Sequence, residues 1–498
     1  MNRSSTAMHL RLATAFVAVL ASTACTVTRV NDEVTLPVPE RWENADLSAR
    51  SISREDLANW WTGFGDADLD ELIRAALAVN HDLKLARERV REARAGEVVA
   101  LSQLFPTVNL TAAKSRSKDI TRPIPIVNNE NAGLVASWEI DLFGGNQLEA
   151  EAAAARALAA EESRRAVLVS LLAEVARNYL QLRSVQEQIQ VLERNIAVQQ
   201  ESLRLIEARF GAGLASAFDV SRARTLLKTS ESSLPALQAD AATKIHRLGV
   251  LVGKQPADIG RALASAKPLP ASIPAIPALL PSELLTQRPD LRRARKLVTA
   301  AAASAGAAKA DLFPTFLLST SVGGQSAQLG SLPWRSAGVF ALGAGLVQPL
   351  FNAGRIRAGI DAADARFAQA TVVYEKSFLE ALEDVENAFV LNRTSRERQE
   401  NLAIATDSAE RARSQASVLY EKGVVDYLAL LDAQRTALAS EDALIRARAD
   451  VALSLVGLYR AFGGGWSFEK PASNIAMNDG IELSEFFMSQ PQLSNARK

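Results

Sequence analysis

Two long stretches of the chain, residues 146–210 and 360–422, contain neither glycine nor proline. At 1.5 Å per residue, each predicts a helix of roughly 90 to 100 Å, which is longer than the helices of ordinary globular domains. In the first stretch apolar side chains recur with a period of 3.5 and are interrupted at Gln199, which indicates a coiled-coil seam. The seam consists of Leu168, Leu171, Val175, Tyr179, Leu182, Val185, Ile189, Leu192, Ile196, Leu203, Ile206 and Phe210. On the helices alone, a periplasmic coiled-coil scaffold without a channel remains an alternative.

Short segments of alternating apolar and polar residues precede both long helices. In GLVASWEIDLF, residues 133–143, one side carries Leu134, Ala136, Trp138, Ile140 and Leu142. Two segments in the second half repeat the pattern, one with Phe316, Leu318, Thr320 and Val322, the other with Phe340, Leu342, Ala344 and Leu346. About ten residues is the length of a membrane-spanning strand, so we predict two such strands in each half.

A helix is predicted before the first strands, from Asp68 to Leu101, with one apolar face and an end at the following Phe-Pro. That face carries Leu69, Leu72, Ile73, Ala76 and Leu77.

The two halves of the chain resemble each other at a nearly constant offset. DLKLARERV from Asp82 returns as DLRRARKLV from Asp290, and LFPT from Leu104 returns from Leu312, both 208 residues later. FGAGLASAFDVSRA, residues 210–223, aligns at an offset of 210 with YEKGVVDYLALLDA, residues 420–433. We therefore predict an internal duplication. The predicted divisions are a signal peptide (1–24), an N-terminal segment (25–65), a first repeat (66–252), a Pro-rich connector (253–282), a second repeat (283–466) and a C-terminal tail (467–498).

The N-terminus has the pattern of a secretory signal. Arg3 and Arg11 are followed by a nearly continuous apolar run over residues 12–21, which is too short to span a membrane. Small residues then lead to Cys25, the single cysteine of the chain, in a motif that resembles a bacterial lipobox. The resemblance implies that Cys25 is acylated and becomes the mature N-terminus. Ser22 stands where lipoboxes usually have leucine, so cleavage by the ordinary signal peptidase, with an incidental thiol, remains the alternative.

Composition excludes several classes of protein. The chain has 56 basic and 56 acidic residues, so no net charge attracts nucleic acid or an anionic surface. It is 48% hydrophobic and 22% charged, which indicates a folded chain. No apolar run after residue 21 is long enough for a transmembrane helix.

The predicted strands are too few to form a barrel from one chain. Four strands cannot close a membrane barrel, and an open edge in lipid leaves backbone groups without hydrogen bonds. Several chains must therefore contribute strands to one barrel.

These features together resemble the TolC-like outer-membrane factors, on the lipoprotein branch that serves resistance-nodulation-division efflux pumps. The motifs that carry the resemblance are WWTGFGDADLDELIRAAL from Trp60, LFPT at both positions, SWEIDLFGG from Ser137, QRPDLRRA from Gln287, LVQPLFNAGR from Leu346, YEKGVVDYLALLDAQR from Tyr420 and LYRAFGGGW from Leu458. The resemblance implies a mainly α protein with a membrane β part. Three chains would form a twelve-stranded outer-membrane barrel that continues into a periplasmic α-helical tunnel. It further implies passive export of drugs or other small toxic molecules.

The resemblance also implies the partners and the gate. The expected partners are two further copies of the chain, a periplasmic membrane-fusion adaptor, an inner-membrane pump and outer-membrane lipid, with no nucleic acid. Asp219, Leu428 and Asp432 are expected at the constricted periplasmic tip, beyond turns marked by Gly213 and Gly423. The residues themselves allow other roles, because Asp219 suits a helix N-cap and Asp432 suits an ion pair with Arg435. An exit duct for secreted proteins or peptides is the alternative function within this architecture.

An enzyme is the rival class, and the chain offers little for catalysis. His81 and His246 lack the spacing of metal ligands, so we expect no metal and no other cofactor. The segment around Gly253 and Lys254 lacks the glycine spacing and the Ser or Thr of a phosphate-binding loop, and the glycines at residues 463–465 suit a helix end. We therefore predict no catalytic residues.

Overall fold

The structure is a computed structural model that describes residues 27, 30–45, 50, 52–118, 120–121, 125–326 and 338–466. Cys25, the predicted signal peptide (1–24) and the predicted tail (467–498) lie outside the described residues. The helices are α1 (Arg54–Ala58), α2 (Ala67–Val79), α3 (His81–Ser102), α4 (Gly145–Gly211), α5 (Ala217–Leu251), α6 (Pro256–Leu263), α7 (Leu284–Gln287), α8 (Pro289–Ala310), α9 (Arg355–Glu421) and α10 (Tyr427–Ala461). The strands are β1 (Thr107–Ser117), β2 (Val127–Ile140), β3 (Thr315–Ser326) and β4 (Gly338–Val347). Short 3-10 helices cover Trp60–Phe64 and Pro281–Glu283.

Both predicted long helices are present, and each has 67 residues. The second begins at Arg355, ahead of the predicted Ile360, because Gly359 is accommodated inside the first turns of α9. Most residues of the predicted seam are buried, whereas Phe210 at its lower end is half exposed. Gln199, where the apolar pattern breaks, is buried within the seam.

The prediction of one continuous helix from Asp68 to Leu101 was wrong, because the chain turns at Asn80. Asn80 has φ −56° and ψ 132°, which separates α2 from α3, and its side chain accepts a hydrogen bond from the backbone N–H of Leu83. Its Nδ2 also donates to the carbonyl oxygen of Leu251 at 2.9 Å. Capping and a tertiary contact therefore override the helical periodicity.

The four strands form one antiparallel sheet in the order β1-β2-β3-β4. The central pairing, β2 with β3, joins the two halves of the chain and sets Trp138 opposite Leu318. Strand β2 begins six residues before the predicted segment, at Val127, and ends at Ile140, so Leu142 lies beyond the strand. Within the described residues, the outer edges of β1 and β4 have no pairing strand. Large apolar side chains are exposed on the sheet, among them Phe340 at 71%.

The short helices lie along the long ones. Helix α4 contacts α3, α5, α8 and α10, and α9 contacts α8 and α10. Helices α3 and α8 lead directly into strands, so they pack along the halves of α4 and α9 that lie nearest the sheet. Helices α5 and α10 follow the turns at the far end, so they pack along the other halves. The largest apolar cluster lies where α5 and α10 end. There the Trp60 ring stacks on the Tyr459 ring, with 5.4 Å between the ring centres. No helix among the described residues has the length and apolar character to cross a membrane.

Candidate functional site

The far end of the helical body consists of two similar turns, residues 212–216 between α4 and α5 and residues 422–426 between α9 and α10. We call these turns, together with the adjoining turns of the four helices, the tip. Gly213 has φ +74° and Gly423 has φ +73°. In each turn the next N–H reaches back to a helix carbonyl, from Leu214 to Arg209 at 2.8 Å and from Val424 to Leu419 at 2.9 Å. Left-handed glycines closing helices in this way confirm both predicted turns.

Asp219 is part of a capping box at the start of α5. Ser216 is the N-cap residue, and its Oγ accepts a hydrogen bond from the Asp219 N–H at 3.1 Å. The Asp219 carboxylate in turn accepts from the Ser216 N–H at 3.2 Å and from the Ser216 Oγ–H at 2.7 Å. The N-cap role considered for Asp219 therefore belongs to Ser216, and Asp219 acts as its partner three residues later.

Leu428 and Asp432 lie on one face of α10, one helical turn apart. Leu428 is 46% exposed and Asp432 is exposed. The described ion pairs of α10 join Asp442 to Arg446, Asp450 to Arg398 and Arg448 to Glu187, and none joins Asp432 to Arg435. The intrachain pair considered for Asp432 is therefore not formed, and its carboxylate faces solvent in the single chain.

The first turn of α10 lies within electrostatic range of Asp219. Burial, followed by the nearby Tyr420 and Asp219, raises the pKa of Tyr427 to about 12. Tyr427 also packs edge-on against the Tyr420 ring at 5.7 Å, in an apolar cluster with Ile206, Ala223, Leu430 and Leu431. The structure thus brings Asp219 to the same end of the molecule as Leu428 and Asp432.

Arg209 is a tip residue that the sequence analysis did not single out. Its guanidinium carbon lies 4.5 Å from the centre of the Tyr420 ring, and it donates hydrogen bonds to the carbonyl oxygens of Tyr420 at 3.4 Å and Glu421 at 3.2 Å. An arginine in the last turn of α4 predicts that its side chain binds carbonyl oxygens at a helix end. The sequence does not show that these carbonyl oxygens belong to α9. Arg209 therefore links the two hairpins α4–α5 and α9–α10.

Partly buried polar contacts join the helices near the tip. The Gln434 amide donates to Ser202 Oγ at 3.0 Å, and the Asn195 amide donates to Glu441 at 3.2 Å. The contact between Gln434 and Ser202 lies between the tip cluster around Ile206 and a second apolar cluster of Leu192, Ile196 and Leu227. Asn195 lies on α4 between Leu192 and Ile196, at the level of the second cluster. Buried amides in a coiled coil fix the register of its helices at a cost in stability.

The described residues contain no group of three or more His, Cys, Asp or Glu placed to hold a metal ion. His81 and His246 are both exposed on helices. Gly463, with φ +72°, closes the end of α10, as its sequence context indicates.

Comparison with known proteins identifies the class of channel. Residues 72–254 and 280–464 match the model of the outer membrane efflux protein family. The pyoverdine export outer membrane protein OpmQ of Pseudomonas aeruginosa is 34% identical over 467 residues, which cover 90% of this chain and 95% of OpmQ. The cation efflux system protein CusC of Escherichia coli is 30% identical over 460 residues, covering 91% and 98% of the two chains. The solved outer-membrane channel OprN superposes with a TM-score of 0.82 at 33% identity, covering 88% of this chain and 99% of OprN.

The relatives are efflux channels of the outer membrane, and none of the comparisons indicates a catalytic family. The alternating strands, the two helices of 67 residues and the paired turns agree with this class. The chain is an outer-membrane efflux channel of the TolC-like type and belongs to the outer membrane efflux protein family.

Proposed function

We propose that three copies of the chain form one conduit, through which small toxic molecules leave the periplasm passively. The observation that carries the proposal is the four-stranded sheet with two open edges and exposed apolar side chains. Three such sheets supply twelve strands, enough to close a membrane barrel in which every edge is paired. The same symmetry sets the long helices side by side as the wall of a periplasmic tunnel.

The duplicated sequence gives the proposed assembly its regular wall. Each half contributes two strands, one helix of 67 residues and one helix of 35 residues. Three chains then provide six similar units around the axis. Threefold symmetry relates these units as two sets of three, one set from each half of the chain. Exposed apolar residues on α9, such as Val372 and Leu379, suit contacts with a neighbouring copy.

The proposed partners are a periplasmic membrane-fusion adaptor and an inner-membrane pump of the resistance-nodulation-division type. Two relatives are named for the export of pyoverdine and of cations. Cargoes so different in chemistry support a wall without a specific binding site, so we assign the choice of cargo to the pump. Drugs and other small toxic molecules are the proposed cargo of this chain.

The proposed gate is a constriction at the tip formed by three copies each of Asp219, Leu428 and Asp432. The exposure of Leu428 and Asp432 on one face of α10 supports a location facing the tunnel axis. Rings of carboxylates at a constriction attract cations and repel anions, and a ring of leucines adds a dry barrier. The Arg209 contact with Tyr420 would hold each pair of hairpins together when the gate is closed.

We further propose that Cys25 is acylated and anchors the mature chain in the outer membrane. The N–H of Val27, two residues along the sequence, donates to the carbonyl oxygen of Phe143 at 3.3 Å, just beyond the end of β2. This contact keeps Val27 next to the sheet, which supports a lipid anchor in the same membrane as the strands. The lipid adds to an anchoring that the strands already provide.

The central test is the native mass of the detergent-extracted protein. We expect three chains per particle, ion conduction in planar bilayers, and co-purification of an adaptor from the same cells. Deletion of the gene should increase susceptibility to a broad panel of toxic compounds. A stable monomer that inserts in the outer membrane would contradict the pooled barrel, and a trimer that never conducts would contradict the conduit.

A further inference from the structure

One face of the four-stranded sheet is apolar over most of its height. Strand pairing sets one residue of each strand side by side, and alternate residues of a strand share a face. One row on this face consists of Leu110, Leu134, Val322 and Phe340. Two rows nearer the helices consist of Trp138, Leu318 and Ala344, and of Ile140, Phe316 and Leu346. We call this side the apolar face, and in a membrane barrel such a face contacts lipid.

Two cations lie where the apolar face ends, and we call them the rim cations, Lys114 and Arg116. Both are on β1, at positions that share the face of Leu110. Lys114 lies opposite Glu130 of β2, and its Nζ is 2.7 Å from Glu130 Oε1. Arg116 is exposed and lies opposite the neutral Asn128, and no ion pair of Arg116 is found within the described residues. The rim cations therefore carry more positive charge than Glu130 neutralises.

The length of the strands places the rim cations at the outer surface of the membrane. The sheet joins the helices at Thr107 and Ile140, so this end is the periplasmic one. Near it, the indole N–H of Trp138 donates to the carbonyl oxygen of Leu104 at 3.0 Å, as suits an aromatic residue at a membrane interface. Glu130 lies ten residues from Ile140 on β2. At about 3.3 Å per residue and a tilt of about 40°, these residues span about 25 Å of membrane, the usual height of the apolar band of a barrel.

The opposite face of β1 carries no charge. Its residues are Thr107, Asn109, Thr111, Ala113, Ser115 and Ser117. Near the level of the rim cations, the Gln325 amide donates to Asn129 Oδ1 at 2.9 Å on this face. Cations that attracted a passing cargo would line this inner face of the barrel. Because the rim cations lie on the apolar face instead, their partner is a component of the membrane.

The rim cations have the chemistry to bind phosphate. Glu130, whose side chain is 12% exposed, holds the Lys114 ammonium in place, and the Lys114 side chain is still 60% exposed. An ammonium has three N–H donors, so donors remain for a second anion. The Arg116 guanidinium presents a planar set of donors that matches a phosphate group. The two residues are about 7 Å apart along the strand, so their long side chains can converge on one phosphorylated head group.

We propose that Lys114 and Arg116 bind the phosphate groups of lipopolysaccharide, the phosphorylated lipid of the outer leaflet of the outer membrane. The proposal rests on the proposed function, because the apolar face contacts lipid only once the strands of three chains close a barrel. Three copies then place three such sites around the outside of the barrel. Glu130 is the positioning residue of each site, since it orients Lys114 without contacting the lipid.

The test measures lipid binding by the full-length trimer in a neutral detergent. The probes are lipid A with its phosphate groups, lipid A without them, and inorganic phosphate. Wild type should bind phosphorylated lipid A more tightly than either of the other two. Arg116→Gln should weaken this binding by about fivefold or more, because hydrogen bonds between charged groups are lost. Arg116→Lys should retain most of the affinity, since it keeps the charge.

The matched control moves the charge to the other face of the same strand. Arg116→Ser combined with Ser117→Arg keeps the net charge and the height in the membrane, but places the guanidinium on the inner face. This double variant should lose affinity for phosphorylated lipid A as Arg116→Gln does. If it binds as tightly as wild type, general attraction by charge explains the binding and the proposal is wrong.

Two other results would also overturn the proposal. Equal affinity of wild type for lipid A with and without phosphate would assign the binding to the apolar face alone. Inorganic phosphate that binds as tightly as lipid A would make the site one for free anions. Native mass and conduction of each preparation separate these failures from that of the proposed function. A wild type that is not a trimer or does not conduct refutes the conduit, whereas conducting trimers that bind lipid A alike refute only the lipid site.

Discussion

Arg209 and Tyr420 bind the last turn of α4 to the last turn of α9, by a guanidinium that covers the tyrosine ring at 4.5 Å and caps the carbonyl oxygens behind it. The contact spans 211 positions of sequence and joins the two hairpins at their far ends. Tyr420 also packs on Tyr427 at the start of α10, the helix that carries Leu428 and Asp432. Loss of the Arg209 contact should therefore also loosen the packing of this helix.

Replacing Arg209 should loosen the tip. A cation–π contact at a partly exposed site contributes about 0.5 to 1 kcal/mol, so its loss from three chains should shift the equilibrium towards open channels by about tenfold or more. Single-channel recordings of Arg209→Leu should show higher mean conductance than the wild type. The matched control is Arg204→Leu, one to two turns earlier on α4, where an exposed arginine forms an ion pair with Glu201 on its own helix. Equal conductance of both variants would exclude Arg209 from the gate.

The proposed gate residues should affect conduction in separable ways. Leu428→Ala with Asp432→Ala should raise single-channel conductance, since both side chains are removed from the proposed constriction. Asp219→Ala with Asp432→Ala should reduce cation preference and block by divalent cations. Unchanged conductance and selectivity in folded trimers of both double variants would place the gate elsewhere.

Asp219 needs its own control because it also supports the start of α5. Loss of the capping box costs about 1 kcal/mol of local helix stability, whatever the carboxylate does for ions. Ser216→Ala removes the same cap and leaves the carboxylate in place. Reduced cation preference in Asp219→Ala, but not in Ser216→Ala, would therefore assign the effect to the charge, and the same loss in both would assign it to the cap.

Acylation of Cys25 has a direct measurement. Intact mass after detergent extraction should correspond to a chain that starts at Cys25 and carries acyl groups. Cys25→Ser should weaken anchoring and still leave a barrel that inserts, because the strands and not the lipid span the membrane. A mature mass without lipid, or a different first residue, would show that Cys25 is incidental.

The pair of Arg288 and Asp290, where the start of α8 meets the end of α10, should make the stability of the fold depend on pH. Burial raises the pKa of Asp290, but the hydrogen bonds and charge of Arg288 together outweigh burial, so the pKa lies below its ordinary 3.8. The pair therefore stabilises the fold above about pH 4, and this contribution is lost as the pH falls through the lowered pKa.

The thermal stability of wild type and Asp290→Asn measures this contribution. Wild type should unfold at the higher temperature between pH 5 and 7, and the difference should vanish towards pH 3. The expected difference is at most about 1 kcal/mol, because the Asp290 side chain is 42% exposed and water screens its charge. A difference that persists unchanged at pH 3 would mean that Asp290 contributes by packing.

Local patterns were sufficient to predict the main elements of the structure. The absence of glycine and proline predicts both long helices to within a few residues, because backbone hydrogen bonds within a helix depend on nearby sequence. Period-two segments predict strands, and Gly213 and Gly423 predict the turns, because only glycine adopts their left-handed conformation without strain. The break at Asn80 was missed, although asparagine ahead of His-Asp-Leu is a recognisable N-cap signal.

Side-chain partners across the fold were decided by the tertiary structure alone. The sequence by itself determined the two long helices, the four strands and the turns at Gly213 and Gly423. It also predicts an internal duplication and a gate of Asp219, Leu428 and Asp432. It did not determine that Arg209 caps α9, that Ser216 donates to the Asp219 carboxylate, or that Asn80 and Arg288 bind the last carbonyl oxygens of α5 and α10. Most of these contacts join residues between about 170 and 210 positions apart, so they exist only after the long helices have packed in one register. Packing of whole helices selects that register, and no local pattern encodes which carbonyl or carboxylate a given side chain then meets.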